Sequence, residues 1–147
     1  MQRIKIDLPA RFAFSTQLAV RITDLNYGNH VGNDAFMALL HEARVQYLHS
    51  LGYGELDVAG YGLIMADAAI QFKAELHYGQ VLTAEVAATG LASMGFDLVY
   101  RLTVEKEGRP TVAAIAKTGM VLFDYQQRKP VALPADVQTR LQTTATE

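Results

Sequence analysis

The stretch Asp24-Leu25-Asn26-Tyr27-Gly28-Asn29-His30-Val31-Gly32-Asn33-Asp34-Ala35-Phe36 decides how the chain is read, because the side-chain periodicity changes within it. Upstream, Leu18, Val20 and Ile22 alternate with Arg21 and Thr23, the period-two pattern of a half-buried strand that Asp24 ends. Downstream, from Gly32 to Leu51, Phe36, Leu40, Ala43, Tyr47 and Leu51 recur at helical spacing, flanked by Met37, Leu39 and Leu48. The join holds Asp24 and Asp34, three asparagines, His30 and two glycines. That density of donors, acceptors and permissive backbone marks a site. A helix start also presents unpaired N–H groups and the positive end of a dipole, which favour a developing oxyanion.

Asn33 or Asn29 is the expected N-cap, and Asp34 suits the first turn. Gly52 is the expected left-handed stop. His41, Glu42 and His49 make a polar face, but Ala35, Ala38, Ala43 and Val45 spread round the circumference. Such a helix is expected to be covered on more than one side. Before the first clear strand, Arg3 to Leu8 alternates like a short strand that Pro9 interrupts.

After a loop rich in glycine and tyrosine, from Gly52 to Gly62, the chain turns to strands. Leu63 to Leu76 places Ile64, Ala66, Ala68, Ile70 and Phe72 on the face toward the helix, with Met65, Asp67, Gln71 and Lys73 opposite. Val81 to Leu91 and Met94 to Glu105 follow, and Lys106-Glu107-Gly108-Arg109 turns into Thr111 to Tyr125, where Gly119 is expected to mark a bulge. Pro134-Ala135-Asp136 begins a short terminal helix. The order implies an α+β fold in which an antiparallel sheet of about five strands wraps one long central helix. Free sheet edges and a partly apolar outer face, with Met65 and Ala69 on it, predict a homodimer or a larger assembly such as a homotetramer.

With 147 residues, half of them hydrophobic and 19% charged, the chain reads as a single globular domain, residues 1–147. Thirteen basic against fifteen acidic residues leave a formal charge of -2, which gives no footprint for nucleic acid or an anionic membrane. There are no cysteines, so thiol nucleophiles and thiolate metal sites are excluded, and no metal cluster is visible. The first residues lack the apolar core of a signal peptide, and no apolar run reaches spanning length, so a cytoplasmic protein is expected.

The run from Val20 to Asn26, the loop Gly28-Asn29-His30-Val31-Gly32-Asn33, and Glu42-Ala43-Arg44 within the helix resemble hotdog-fold acyl-CoA thioesterases. So do Ala69-Ile70-Gln71-Phe72 with Tyr78-Gly79-Gln80-Val81-Leu82, and the ending from Val131 to Asp136. The resemblance is in particular to the 4-hydroxybenzoyl-CoA thioesterase family and its relatives among the plant acyl-carrier-protein thioesterases. It implies hydrolysis of a thioester of coenzyme A or acyl-carrier protein, in dimers or tetramers with the site at the subunit interface. No cofactor is expected beyond the coenzyme A that the substrate carries.

Carried over by position, the family's base-like aspartate falls on Asn26, which cannot take a proton at neutral pH or form an acyl anhydride. His30 matches the histidine of relatives with an Asn-x-His loop, whose asparagine falls here on Gly28; a strand glutamate of other relatives falls on Ile64. The carbonyl-polarising N–H falls on Asn33 or its neighbour. His30 is therefore the expected base, or else it fixes the turn. Asn26 holds water or the carbonyl, or makes an Asx-turn. Asp24 is expected to hold the loop and the histidine. Glu42 is a base if buried, or a partner of Arg44. Tyr27, Gly28, Asn33 and Asp34 are the expected substrate contacts, with Tyr53, Tyr61 and Met65 as further candidates for an acyl pocket. Lys73, Arg101 and Lys117 are available for phosphates. Two rivals remain: a hydratase, since Asp24 to His30 approximates an Asp-x-Asn-Pro-x-His pattern one residue too long and without the proline, and a thioester-binding protein without catalysis.

Overall fold

The computed structural model describes residues 1–146. In chain order it contains β1 (Arg11–Phe12), β2 (Phe14–Ala19), a 3-10 turn (Ile22–Asp24), α1 (Asn33–Ser50), β3 (Gly62–Phe72), β4 (Val81–Thr89), β5 (Gly95–Lys106), β6 (Arg109–Asp124), β7 (Lys129–Pro130), α2 (Ala135–Gln142) and β8 (Ala145–Thr146). The main sheet is antiparallel with strand order β2-β4-β5-β6-β3, and β7 adds to β6; β1 pairs separately with β8.

The inward residues of β5 show how the core is built. Phe96, Leu98, Tyr100, Leu102 and Val104 are all buried, alternating along the strand as a pleated sheet requires. Phe36, Leu39, Leu40, Ala43, Tyr47 and Leu48 of α1 pack onto that face, while α2 covers β4 through Val137 and Leu141. A sheet curled about one principal helix is the hotdog arrangement the sequence predicts. The helix is not enclosed within the chain, however. Ala38, Glu42 and Val45 are exposed on its far side, so the expected cover on more than one side is not supplied by these residues.

Two boundaries differ for identifiable reasons. β2 stops at Ala19 because the Arg21 N–H bonds the Asp24 carboxylate at 2.7 Å and bends the chain into the 3-10 turn; Ile22 is consequently 64% exposed instead of sharing the face of Leu18 and Val20. The alternation of residues 3–8 forms no strand, and pairing begins only after Pro9, at β1. The helix ends as read: Gly52 at φ +82° lets the Gly52 and Tyr53 N–H groups return to the carbonyls of His49 and Leu48. Glu107 and Gly108, both at positive φ, close the β5–β6 hairpin.

The bulge opposite Gly119 lies on the other strand. The register of β3 against β6 shifts between Met65 and Asp67, so Ala66 is the extra residue. Met65 then pairs with buried Met120 on the inner side of the sheet, although it is itself 45% exposed, whereas Ile64 pairs with Val121 on the outer side, the reverse of the expected sides. Beyond the bulge Ala68, Ile70 and Phe72 face inward as read, and Asp67 faces out. Asp67 fills the space above Gly119, where a Cβ would lie 2.5 Å from its Oδ1; it accepts the Gly119 N–H at 3.0 Å and pairs with Lys117 at 2.8 Å. That lysine holds the Asp67 carboxyl below the usual carboxylate range. Among the described residues no helix is long and apolar enough to cross a membrane.

Candidate active site

Main-chain bonds shape the loop before α1. The Asn26 N–H bonds the His30 carbonyl at 3.0 Å across a Leu25–Val31 bridge, and Asn29 at φ +66° closes the turn with its N–H on the Asn26 carbonyl at 3.1 Å. Two further bonds dock the loop: Gly32 N–H to the Asp24 carbonyl at 3.1 Å, and Val31 N–H to the Leu76 carbonyl at 2.9 Å. The second brings the segment after β3 alongside His30.

There a cleft of about 230 Å³ opens, lined by His30, Val31, Asn33, Phe36, Phe72, Lys73, Ala74 and Glu75. Phe36 and Phe72 meet edge to face at 5.2 Å and give it an apolar wall. The first turn of α1 adjoins it. The N-cap is Gly32, not Asn33 or Asn29, and no side chain caps the turn, which leaves its N–H groups for a ligand. A Cβ on Gly32 would lie 2.5 Å from Asp34 Oδ1, so a larger residue there would have to turn the Asp34 side chain aside.

His30 is about one-third exposed. Its Nδ1 lies 3.2 Å from the Val31 carbonyl oxygen, which can only accept, so in the neutral ring the hydrogen sits on Nδ1 and Nε2 carries the lone pair. Nε2 lies 4.0 Å from Glu75 Oε1. Gly28 keeps this nitrogen accessible: a Cβ there would stand 3.0 Å from Nε2 and 3.2 Å from Asn26 Oδ1.

The remaining expected residues separate. Asn26 makes the Asx-turn, its Oδ1 accepting the Gly28 N–H at 2.8 Å, and it does not line the cleft; its NH2 is left as a donor. Asp24 is buried and holds the strand exit through Arg21, with no bond to the histidine. Tyr27 is fully exposed and Asp34 lies at the surface, neither in the cleft. Glu42 is exposed on the far side of α1, in a groove with Gln17, Leu18, Ala19, Arg21, Ala38 and Leu39. It neither approaches His30 nor pairs with Arg44.

Arg44 is instead buried, donating to Glu55 at 3.2 Å and to the Tyr100 hydroxyl at 3.2 Å; that hydroxyl lies 2.7 Å from Thr118 Oγ1. Burial opposes the guanidinium charge, but Tyr100 and Glu55 outweigh it and hold Arg44 above its ordinary value. The Tyr100 hydroxyl is pushed up by the same burial.

Sequence reasoning missed Phe72 and Glu75 as site residues; His77 lies beside Glu75, outside the cleft lining. The sequence reads as strand on to Leu76, but β3 ends at Phe72, and the Val31–Leu76 bond is what sets the segment after it beside His30. Of the three phosphate candidates, Arg101 is held by Glu85 at 2.8 Å and 3.1 Å, and Lys117 lies between Asp67 and Asp97. Lys73 lines the cleft. Among the described residues no group of three or more His, Cys, Asp or Glu is placed to hold a metal ion.

The family model of the thioesterase-like superfamily matches residues 20–141. No curated protein sequence matches the chain. Among solved structures it is similar to a 1,4-dihydroxy-2-naphthoyl-CoA thioesterase from Synechocystis, with 23% identity and a TM-score of 0.77 over 88% of this chain and 95% of that one. A Staphylococcus aureus protein in complex with CoA gives 18% identity and 0.79 over 95% and 87%. An aspartate-to-asparagine mutant of 4-hydroxybenzoyl-CoA thioesterase, complexed with 4-hydroxybenzoyl-CoA, gives 17% and 0.78 over 87% and 97%.

Proposed function

The chain belongs to the thioesterase-like superfamily, and on that premise we propose that it hydrolyses an acyl-CoA or acyl-carrier-protein thioester to the free acid and thiol. The observation that carries this reading is the uncapped start of α1 beside a cleft that also holds His30. A thioester carbonyl placed against the first-turn N–H groups gains charge stabilisation as it becomes an oxyanion. His30 Nε2, its lone pair free, takes a proton from water attacking that carbon. The bond to sulfur breaks, and the thiolate leaves without metal assistance.

Asn33 and the Phe36–Phe72 wall form the acyl side of this proposal, and Lys73 is the cation for the carrier's phosphates. Asn26 contributes turn geometry and a free NH2 donor; Asp24 holds the strand exit. A second copy is proposed along β3, which lies at the sheet edge, giving a homodimer or a homotetramer. A cytoplasmic location is proposed with it.

A panel of aliphatic and aromatic acyl-CoA esters, followed by release of free thiol, tests the reading. Wild type should turn over at least one ester, and His30→Ala should lower kcat by about a hundredfold. Tight binding with no thiol released would make the protein a thioester-binding one instead. Hydration of crotonyl-CoA without thiol release would make it a hydratase.

A further inference from the structure

Glu75 stands opposite the catalytic nitrogen proposed above, in a setting that its sequence neighbours do not announce. Two imidazoles flank its carboxylate: His30 Nε2 is 4.0 Å from Oε1 and His77 Nε2 is 3.6 Å from Oε2. Both rings turn their other nitrogen to a main-chain oxygen of the same loop, His30 Nδ1 to Val31 at 3.2 Å and His77 Nδ1 to Asn29 at 3.5 Å. In the neutral rings, with the hydrogens on Nδ1, each Nε2 presents a lone pair to a carboxylate. Groups that only accept do not satisfy one another, and a water placed between them can donate to both.

We infer that Glu75 is a second acceptor for the attacking water, which it holds jointly with His30; this rests on the thioesterase reading. A water bonded at about 2.8 Å to two acceptors 4.0 Å apart subtends roughly 90°, near its own H–O–H angle, and both its hydrogens are then engaged. Its oxygen lone pairs are left for the ester carbon. Gly28 leaves room beside Nε2, and Glu75 and His30 line the same cleft as Asn33 at the helix start. In the step, the water oxygen bonds to the carbonyl carbon as one proton passes to His30 Nε2, while the other hydrogen stays bonded to Glu75. Collapse of the oxyanion breaks the carbon–sulfur bond, and the imidazolium returns its proton to the departing thiolate. The Glu75 carboxylate stabilises that imidazolium in the interval.

The test uses Glu75→Gln and Glu75→Ala on whichever ester the wild type hydrolyses, with kcat and KM measured separately and melting temperature as a control. Both variants should lose about tenfold to a hundredfold in kcat with little change in KM or melting. Added formate should restore part of the rate to Glu75→Ala but not to Glu75→Gln, whose amide still fills the position. Wild-type kcat in both Glu75 variants, with His30→Ala impaired, would overturn this inference and leave the thioesterase reading intact. A loss that tracks a lowered melting temperature and resists formate would also overturn it, assigning Glu75 to structure. No thiol release by the wild type from any ester would remove both.

Discussion

Gly28→Ala probes the proposed chemistry with a single methyl group. The backbone at Gly28 lies outside the left-handed region, so alanine brings no conformational penalty, and reduced freedom in the unfolded chain adds roughly 0.4–1 kcal/mol of stability. The methyl would stand 3.0 Å from His30 Nε2 and 3.2 Å from Asn26 Oδ1. Ordinary contact needs about 3.5 Å, so the ring or the amide must yield by roughly half an ångström. A misplacement of about 1 Å at a reacting group can lower a rate about a hundredfold, and half of it about tenfold, or roughly 1.4 kcal/mol in the barrier. Crowding of a water beside Nε2 extends the expected fall in kcat toward a hundredfold. The assay is thiol release at saturating ester, with melting temperature and circular dichroism to show that the fold is retained. A folded Gly28→Ala protein with wild-type kcat would place the reacting water somewhere other than beside Nε2.

Three other perturbations test the scaffold. Arg44→Met leaves Glu55 without its buried cation and should lower stability by about 2–3 kcal/mol, the partial exposure of Glu55 keeping the loss below that of a fully buried pair; chemical denaturation measures it. Gly119→Ala drives a Cβ into Asp67 and should destabilise the protein, and Asp67→Ala in the same chain should recover most of the loss, a non-additivity read by a double-mutant cycle. The Tyr47 hydroxyl is pushed up to about 12 by burial, the larger effect, against its bond to Thr144. Since the folded value exceeds the unfolded one near 10, stability is full below about pH 10 and declines between about pH 10 and 12, by roughly 2–3 kcal/mol from this group. Tyr47→Phe should be weaker by about 1 kcal/mol at neutral pH, with a shallower alkaline decline in denaturant titrations.

The sequence made the architecture legible wherever the signals were local. The change of period at residues 24–36, the stop at Gly52 and the turn at Glu107-Gly108 each rest on a few neighbouring residues, and each is found in place. Readings that depended on distant partners went astray. Ile22 follows the strand alternation in sequence, yet Asp24 captures the Arg21 N–H and turns the chain first. Ile64 and Met65 exchange sides because Ala66 bulges opposite Gly119, and the signal for it was sought on the glycine's own strand. For the site, His30 and Asn33 were identifiable from the loop alone. Glu75 was not, since a carboxylate just past a strand looks like any solvated charge until the Val31–Leu76 bond sets it beside the imidazole. Glu42, read on the polar face of the helix and as a base only if buried, is exposed, and the Arg44 expected as its alternative partner is taken by Glu55.

The bonds that dock the loop onto Asp24 and onto the segment after β3 run between peptide groups, not side chains. Because every non-proline residue carries those groups, the identities at 27, 73 and 75 can vary while the fastening persists, whereas Asn29 is held to its φ of +66° and Asn26 to its Asx-turn. Evolution can therefore retune what such a cavity accepts by exchanging its lining, and a designer can follow the same route, with selectivity shifting well before folding fails.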